Sequence, residues 1–179
     1  MRRLLLYVHF NKHDRISPHV HYQLEKINSI FSKVVFISNS QLAAEEVEKL
    51  QNRGLIHHFI QRENAGFDFA AWRDGMAFVG FEELKDYDSV TLMNDTCFGP
   101  LWDLQEQYDK FESDPEVDFW GMTNNRKTHL FAEHIQSYFI SFSKRVVQSD
   151  VFQDFWTSVQ TIEDVQSLIY TYESPVPTR

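Results

Sequence analysis

Cysteine is almost missing from this chain: a lone Cys97 cannot close an intrachain disulfide, which fits a reducing compartment. No run of Lys or Arg exceeds two residues, and 17 basic against 26 acidic side chains leave a formal charge of −9. That balance repels polyanions and argues against nucleic acid as a partner; an anionic ligand would need local positive contacts. Only six Gly and five Pro occur in 179 residues, with no low-complexity tract, repeat or linker, so a disordered chain is excluded. No segment approaches the ~20 apolar residues of a membrane span, which restricts any membrane role to peripheral association. The opening "MRRLLLYVHF" has an apolar part too short for a signal peptide, and the polar Asn11, Lys12, His13 and Asp14 follow at once. It reads as the buried first strand of a cytoplasmic protein. Also missing are a G-x-S-x-G elbow, a Walker loop, G-x-G-x-x-G, His-Glu-x-x-His and any Cys-His zinc spacing.

What the chain has is aromatic side chains: 16 Phe, 7 Tyr and 4 Trp, enough for a core with rings left over for a pocket that stacks on bases or sugar faces. Apolar runs at Leu4 to Phe10, "KVVFIS", "LIHHFIQ", "SVTLMN", "VDFWGMT" and "SYFISFS" predict six strands. Helical spacing predicts helices after Pro18, after Ser40 as N-cap with Gly54 as stop, from the "ENAGFDF" segment to Val79, from Leu101 to Phe111, and from Val151 to Val159 capped by Ser149. Strands alternating with helices imply an α/β domain with a mostly parallel sheet. In such sheets the ligand crevice lies at the carboxyl ends of the strands, where "HFNKHD", "ENAGFD" and "NDTCFGP" fall.

Two stretches carry the chemistry. In "ENAGFDFAAWRDG", Glu63 to Gly75, Asn64 and Gly66 permit a sharp turn, and Asp68 is placed to cap the helix. Asp68, Ala71, Trp72 and Gly75 share one narrow arc, where small residues allow a backbone or a flat ligand to approach. Arg73, at the edge of the apolar face, can reach an anion or a carboxylate. Local pattern leaves a plain helix start and a ligand site equally open. In "LMNDTCFGPLW", Asn94, Asp95 and Thr96 follow an apolar strand, so Asp95 emerges beside the crevice. There it can hold a divalent cation, Mg²⁺ or Mn²⁺, through hard oxygen ligands, although a strand-ending turn explains the same residues. Among eight histidines, adjacent pairs point apart, and His134 in "EHIQSYF" is the one retained.

"ENAGFDFAAWRDG", then "LMNDTCFGPL", then "HIQSYFISFSKRV" in that order resemble the rhamnan synthesis protein F family, from "LLLYVHF" to about Glu173. The resemblance implies a GT-A-like three-layer α/β/α fold, a nucleotide-sugar donor, dTDP-L-rhamnose, and a polysaccharide or lipid-linked glycan acceptor toward the carboxyl-terminal half. It implies that Asn64, Gly66, Asp68 and Arg73 form the donor-side motif. Asn94, Asp95 and Thr96 would stand where GT-A enzymes keep an Asp-x-Asp metal motif, here reduced to one Asp. His134, Gln136, Ser137 and Tyr138 would precede the acceptor-side strand. Arg73, Lys12, Arg15 or a cation on Asp95 would stabilise the leaving diphosphate, and Glu173 or Asp118 would serve as base. The family is expected to continue past "IYTYESPVPTR", so residues 1–179 read as a single domain that is shortened, part of a longer product, or degenerate.

Overall fold

The computed structural model describes residues 1–129 and 132–173. Its centre is strand β1 (Arg3–His9), every residue of which is buried. Alternation along β1 feeds two cores: Leu5 and Tyr7 face one helical layer, and Leu4, Leu6 and Val8 face the other. β2 (Lys33–Ser38) and β4 (Ser89–Asn94) flank β1 in parallel, β3 (His58–Gln61) lies beyond β2, and β8 (Phe139–Ser143) runs antiparallel to β4. β5 (Phe119–Gly121) closes the edge, giving the order β3-β2-β1-β4-β8-β5. The chain order reverses beside β1, so the crevice expected at a switch point opens between the ends of β1 and β4. β6 (Asn124–Asn125) and β7 (His134–Ile135), in a stretch the sequence pattern shows only as a polar loop, pair as a separate two-stranded antiparallel ribbon.

On one face lie α1 (Pro18–Ile27), α2 (Ala44–Asn52) and α5 (Gln105–Glu112), packing Val20, Leu24, Leu50 and Tyr108 onto the sheet. On the other lie α3 (Phe67–Val79), the short α4 (Phe81–Leu84) and α6 (Lys144–Val147), α7 (Asp150–Ser158) and α8 (Val165–Leu168), whose last residue leads into one π-type turn (Ile169–Glu173). This is the expected mostly parallel α/β/α arrangement, with Ser149 accepting a hydrogen bond from the Phe152 N–H as the foreseen cap of α7.

Three local expectations are corrected. Ser40 caps no helix, because α2 starts at Ala44 and the Ser40 hydroxyl instead accepts from the Asn11 N–H and donates to the Asn11 carbonyl. The helix expected from Leu101 begins only at Gln105, after a turn held by Asp103 accepting from the Gln105 N–H. Asp68 is not the cap of α3: Gly66 takes that place in the left-handed region at φ 73°, followed by Phe67 at φ 49°. The small residues of α3 serve the sheet, since a Cβ on Gly75 would lie 2.5 Å from the Ile37 Cδ1 atom.

Gly66 combines a conformation that disfavours side chains with a crowded site: a Cβ there would fall 2.6 Å from the Ala70 Cβ and 3.1 Å from the Thr161 Cα. Gly54, at φ 67°, has nothing within 4 Å. Chemical denaturation of both alanine variants separates the two costs: Gly54→Ala should lose about 1 kcal/mol from backbone strain alone. Gly66→Ala should lose roughly 1–2 kcal/mol more from overpacking.

Candidate active site

The crevice between β1 and β4 is an open cleft of about 670 Å³. Phe10 and Asn11 enter it from the end of β1, Asn39 from the end of β2, and Asn94, Asp95 and Thr96 from the end of β4. Asn64, Phe67 and Asp68 come from the turn into α3, Gln136, Ser137 and Tyr138 from the segment before β8, and Val165, Leu168 and Ile169 from α8 and the turn after it. Thus segments far apart in sequence meet where the strand order reverses.

Asn94 ties them together. Its Nδ2 donates to the Asp68 Oδ2 at 2.7 Å, its Oδ1 accepts from the Thr96 N–H at 3.0 Å, and its backbone N–H donates to the Tyr138 carbonyl at 3.1 Å. Asp68, in the first turn of α3, is thereby brought to Asp95 as a second carboxylate, so Asp95 does not stand alone as its strand suggests. Burial, aided by the charge of Asp68 and opposed by the Phe10 N–H 3.2 Å from Oδ2, raises the Asp95 pKa to about 6. Behind it His9 is fully buried, its Nδ1 3.1 Å from the Ser38 Oγ and its ring stacked on Phe36. Burial lowers the His9 pKa to about 4, so the ring is neutral at pH 7 and forms no ion pair with the Asp95 Oδ2, 3.9 Å from its Nε2. That Nε2 is buried without a hydrogen-bond partner among the described residues.

Among the described residues no Lys or Arg side chain lines the cleft. Arg73 is corrected accordingly: its guanidinium donates to Asp74 and to the Val159 carbonyl, away from the cleft, because the neighbouring acid and the loop after α7 capture it. Lys12 and Arg15 are exposed on the loop after β1 and outside the lining. Arg62, which the spacing does not single out, donates to Asp74, Asn39 and the Ala65 carbonyl and so pins the turn carrying Asn64.

Asp118 is corrected as a base. It precedes β5 and accepts at its carbonyl from Ser143, which pairs with Ser89 at the far end of β4. Six residues of extended chain separate Ser89 from Asp95, which sets Asp118 roughly 20 Å from Asp95. His134 is buried in the ribbon, its Nδ1 2.8 Å from the Ala132 carbonyl and its Nε2 3.2 Å from Asn125; it supports the loop of Gln136, Ser137 and Tyr138 rather than lining the cleft. The Glu173 side chain lies outside the described residues. His19 is a cleft residue that helical spacing passes over: its Nε2 is 3.0 Å from the Asp95 carbonyl.

Rhamnan synthesis protein F is the family whose sequence profile matches residues 34–179, most of the chain. The chain belongs to the rhamnan synthesis protein F family. Curated relatives include the uncharacterized protein y4gN of Sinorhizobium fredii, 29% identical over 154 residues that make up 84% of this chain and 39% of the relative. Virulence protein VirA of Vibrio anguillarum is 28% identical over 150 residues, 83% of this chain and 43% of the relative. The chain therefore spans about two fifths of the length of these relatives. Among solved structures, mannosyltransferase PcManGT from Pyrobaculum calidifontis, in complex with GDP-Man and Mn²⁺, superposes with a TM-score of 0.55 at 11% identity, covering 82% of this chain and 46% of that one. HddC from Yersinia pseudotuberculosis gives 0.51 at 12% identity, covering 92% and 89%. These likenesses establish the GT-A-like fold of this family member.

No group of three or more His, Cys, Asp or Glu side chains among the described residues could hold a metal ion by itself. Two carboxylates in one cleft, one of them desolvated, do fit a hard cation that takes its remaining ligands from a phosphate. The same geometry makes Asp95 costly without a cation. With a folded pKa of about 6 against 3.8, its stability cost is absent below pH 4, grows as the unfolded state deprotonates first, and is complete above pH 6. Asp95→Asn should therefore be more stable than the wild type at pH 7 by about 3 kcal/mol, and equally stable near pH 3.5, in paired thermal or urea unfolding.

Proposed function

We propose that this domain is a glycosyltransferase that moves L-rhamnose from dTDP-L-rhamnose, with inversion, to a growing bacterial surface polysaccharide or lipid-linked glycan in the cytoplasm. One observation carries it: a cleft at the switch point of a GT-A-like sheet is lined by Asp68 and Asp95 and by no Lys or Arg among the described residues. Two like charges in a half-desolvated cleft repel a bare diphosphate, so the anion must arrive with a divalent cation. The family description adds the sugar, since a rhamnan is a rhamnose polymer. Mg²⁺ or Mn²⁺ held by Asp95, with Asp68 beside it, would supply electrostatic stabilisation of the leaving diphosphate.

The chain's own side chains bind and orient. The amides of Asn39 and Asn64 and the ring of Phe67 line one wall and suit the polar edge and flat face of a nucleoside. Gln136, Ser137 and Tyr138 line the wall toward β8 and suit the acceptor hydroxyls. The acceptor oxygen bonds to the anomeric carbon as the bond from that carbon to the diphosphate oxygen breaks, and a carboxylate accepts the hydroxyl proton. Glu173 is assigned that role: it ends the turn whose first residue, Ile169, lines the cleft. No helix among the described residues is long and apolar enough to cross a membrane, so contact with a lipid-linked acceptor would be peripheral.

Calorimetry with dTDP tests this reading. Affinity should fall at least tenfold when Mn²⁺ is replaced by a chelator, and Asp95→Ala should show the same loss with Mn²⁺ present. Arg73→Ala should leave nucleotide affinity unchanged, because that guanidinium is engaged elsewhere. Incubation with dTDP-rhamnose, Mn²⁺ and a rhamnose-terminated acceptor should release nucleotide in proportion to acceptor; binding without turnover would make the domain a nucleotide-sugar binding module instead.

A further inference from the structure

The turn between β4 and α5 holds three large apolar side chains out in solvent: Phe98, Leu101 and Trp102 are 82%, 79% and 60% exposed. Such clustering at one turn is unusual for side chains that contribute nothing to the core. The turn is nevertheless pinned. Gln23 donates to the Cys97 carbonyl, the Tyr22 hydroxyl to the Pro100 carbonyl at 3.1 Å, and Asp103 accepts from the Gln105 N–H. The Phe98 ring also packs on His19 with centroids 4.8 Å apart. A fixed backbone therefore presents these rings on the outside.

Their position decides what they face. His19 lines the cleft, and Tyr138 lines both the cleft and an adjoining depression of about 190 Å³ shared with Phe98, Leu101 and Trp102. A second depression of about 340 Å³ continues past Trp102 to Tyr22 and Lys26. The shelf thus runs outward from the cleft wall opposite Asn39 and Asn64. Lys26 and Asp103 are the charged residues among the described lining of the two depressions, and Ser29 and Thr123 add neutral hydrogen-bonding groups. An anionic bilayer surface would call for a cluster of cations, which neither this lining nor a net charge of −9 provides. A neutral sugar has an apolar C–H face for a ring and hydroxyl edges for amides and hydroxyls, and it matches both.

We propose that this shelf is an acceptor subsite: the nonreducing end of a neutral oligosaccharide enters the cleft beside Tyr138, and the following residues of the glycan stack on Phe98 and Trp102. The inference rests on the transferase reading for the direction of the chain, but the stacking is testable without turnover. The double variant Phe98→Ala/Trp102→Ala removes exposed rings and should keep the wild-type melting temperature. With an α-linked rhamnose trisaccharide as acceptor, its KM should rise about tenfold while kcat and the affinity for dTDP with Mn²⁺ stay within twofold. In parallel, the trisaccharide should shift the indole NMR signal of Trp102 in the wild type, assigned through Trp102→Phe, even if no transfer is seen. No shift at millimolar trisaccharide, or an unchanged KM, overturns the subsite. Co-sedimentation with phosphatidylglycerol and phosphatidylethanolamine vesicles that the double variant loses, without any sugar-dependent change, would make the shelf a membrane contact and also overturn it. A failure of transfer with a retained Trp102 shift would strike the transferase reading alone.

Discussion

A carboxylate at the end of a strand buried on both sides is expensive, and the organisation of this domain follows from how that expense is arranged. Asp95 emerges from β4 with its pKa raised to about 6 by burial and by Asp68. No cation among the described lining residues neutralises it: the adjacent His9 ring is kept uncharged by its own burial, and the described cleft lining carries no Lys or Arg. Hydrogen bonds from Phe10 and through Asn94 hold the loops from β1, β4, α3 and the segment before β8 in register around it. Such an arrangement sacrifices stability at neutral pH, and under the proposed function that stability is regained when a cation and an anion complete the site together.

Under the proposed function, the acidity of the chain does not conflict with an anionic donor. A net charge of −9 would repel a nucleotide at long range, but screening confines that effect to about 8–10 Å at ordinary ionic strength. What matters at contact is the pair of carboxylates and what they recruit. The basic residues that could have met the diphosphate directly are used to hold the scaffold: Arg62 pins the turn with Asn64, and Arg73 ties α3 to the loop after α7. Both share Asp74, so the turn into α3 is braced by an ion-pair cluster beside the cleft rather than in it.

Much of the fold is legible in the sequence because the central strands β1, β2 and β4 are apolar runs buried on both faces, and Ser89–Asn94 ends where the pattern turns polar. The convergence of "HFNKHD", "ENAGFD" and "NDTCFGP" follows from the same cue together with the crevice rule. Local roles are harder to read. Asp68 looks like a cap because it precedes an apolar helical face, but the paired left-handed residues Gly66 and Phe67 start the helix earlier and turn Asp68 toward Asn94. Arg73 eludes the pattern because an ion pair with the adjacent Asp74 has no helical periodicity. Asp118 can be discarded only from strand direction, since β5 and β4 run the same way and Asp118 precedes the one while Asp95 follows the other. His9 does leave a signal, a polar residue ending the apolar run of β1, and its one-residue offset from the Val8–Asn94 pair marks it as a neighbour of Asp95. α8 is four residues long, too short for periodicity to register, yet it walls the cleft.

Asp95 and Asp68 together should seat a divalent cation only when a diphosphate shares it. Anomalous diffraction from crystals soaked with Mn²⁺ alone and with Mn²⁺ plus dTDP tests this most directly. A manganese peak is expected within coordination distance of the Asp95 carboxylate, bridging to the diphosphate, in the second soak, with weak or no occupancy in the first. Nucleotide bound in the cleft with no cation on Asp95 would contradict it.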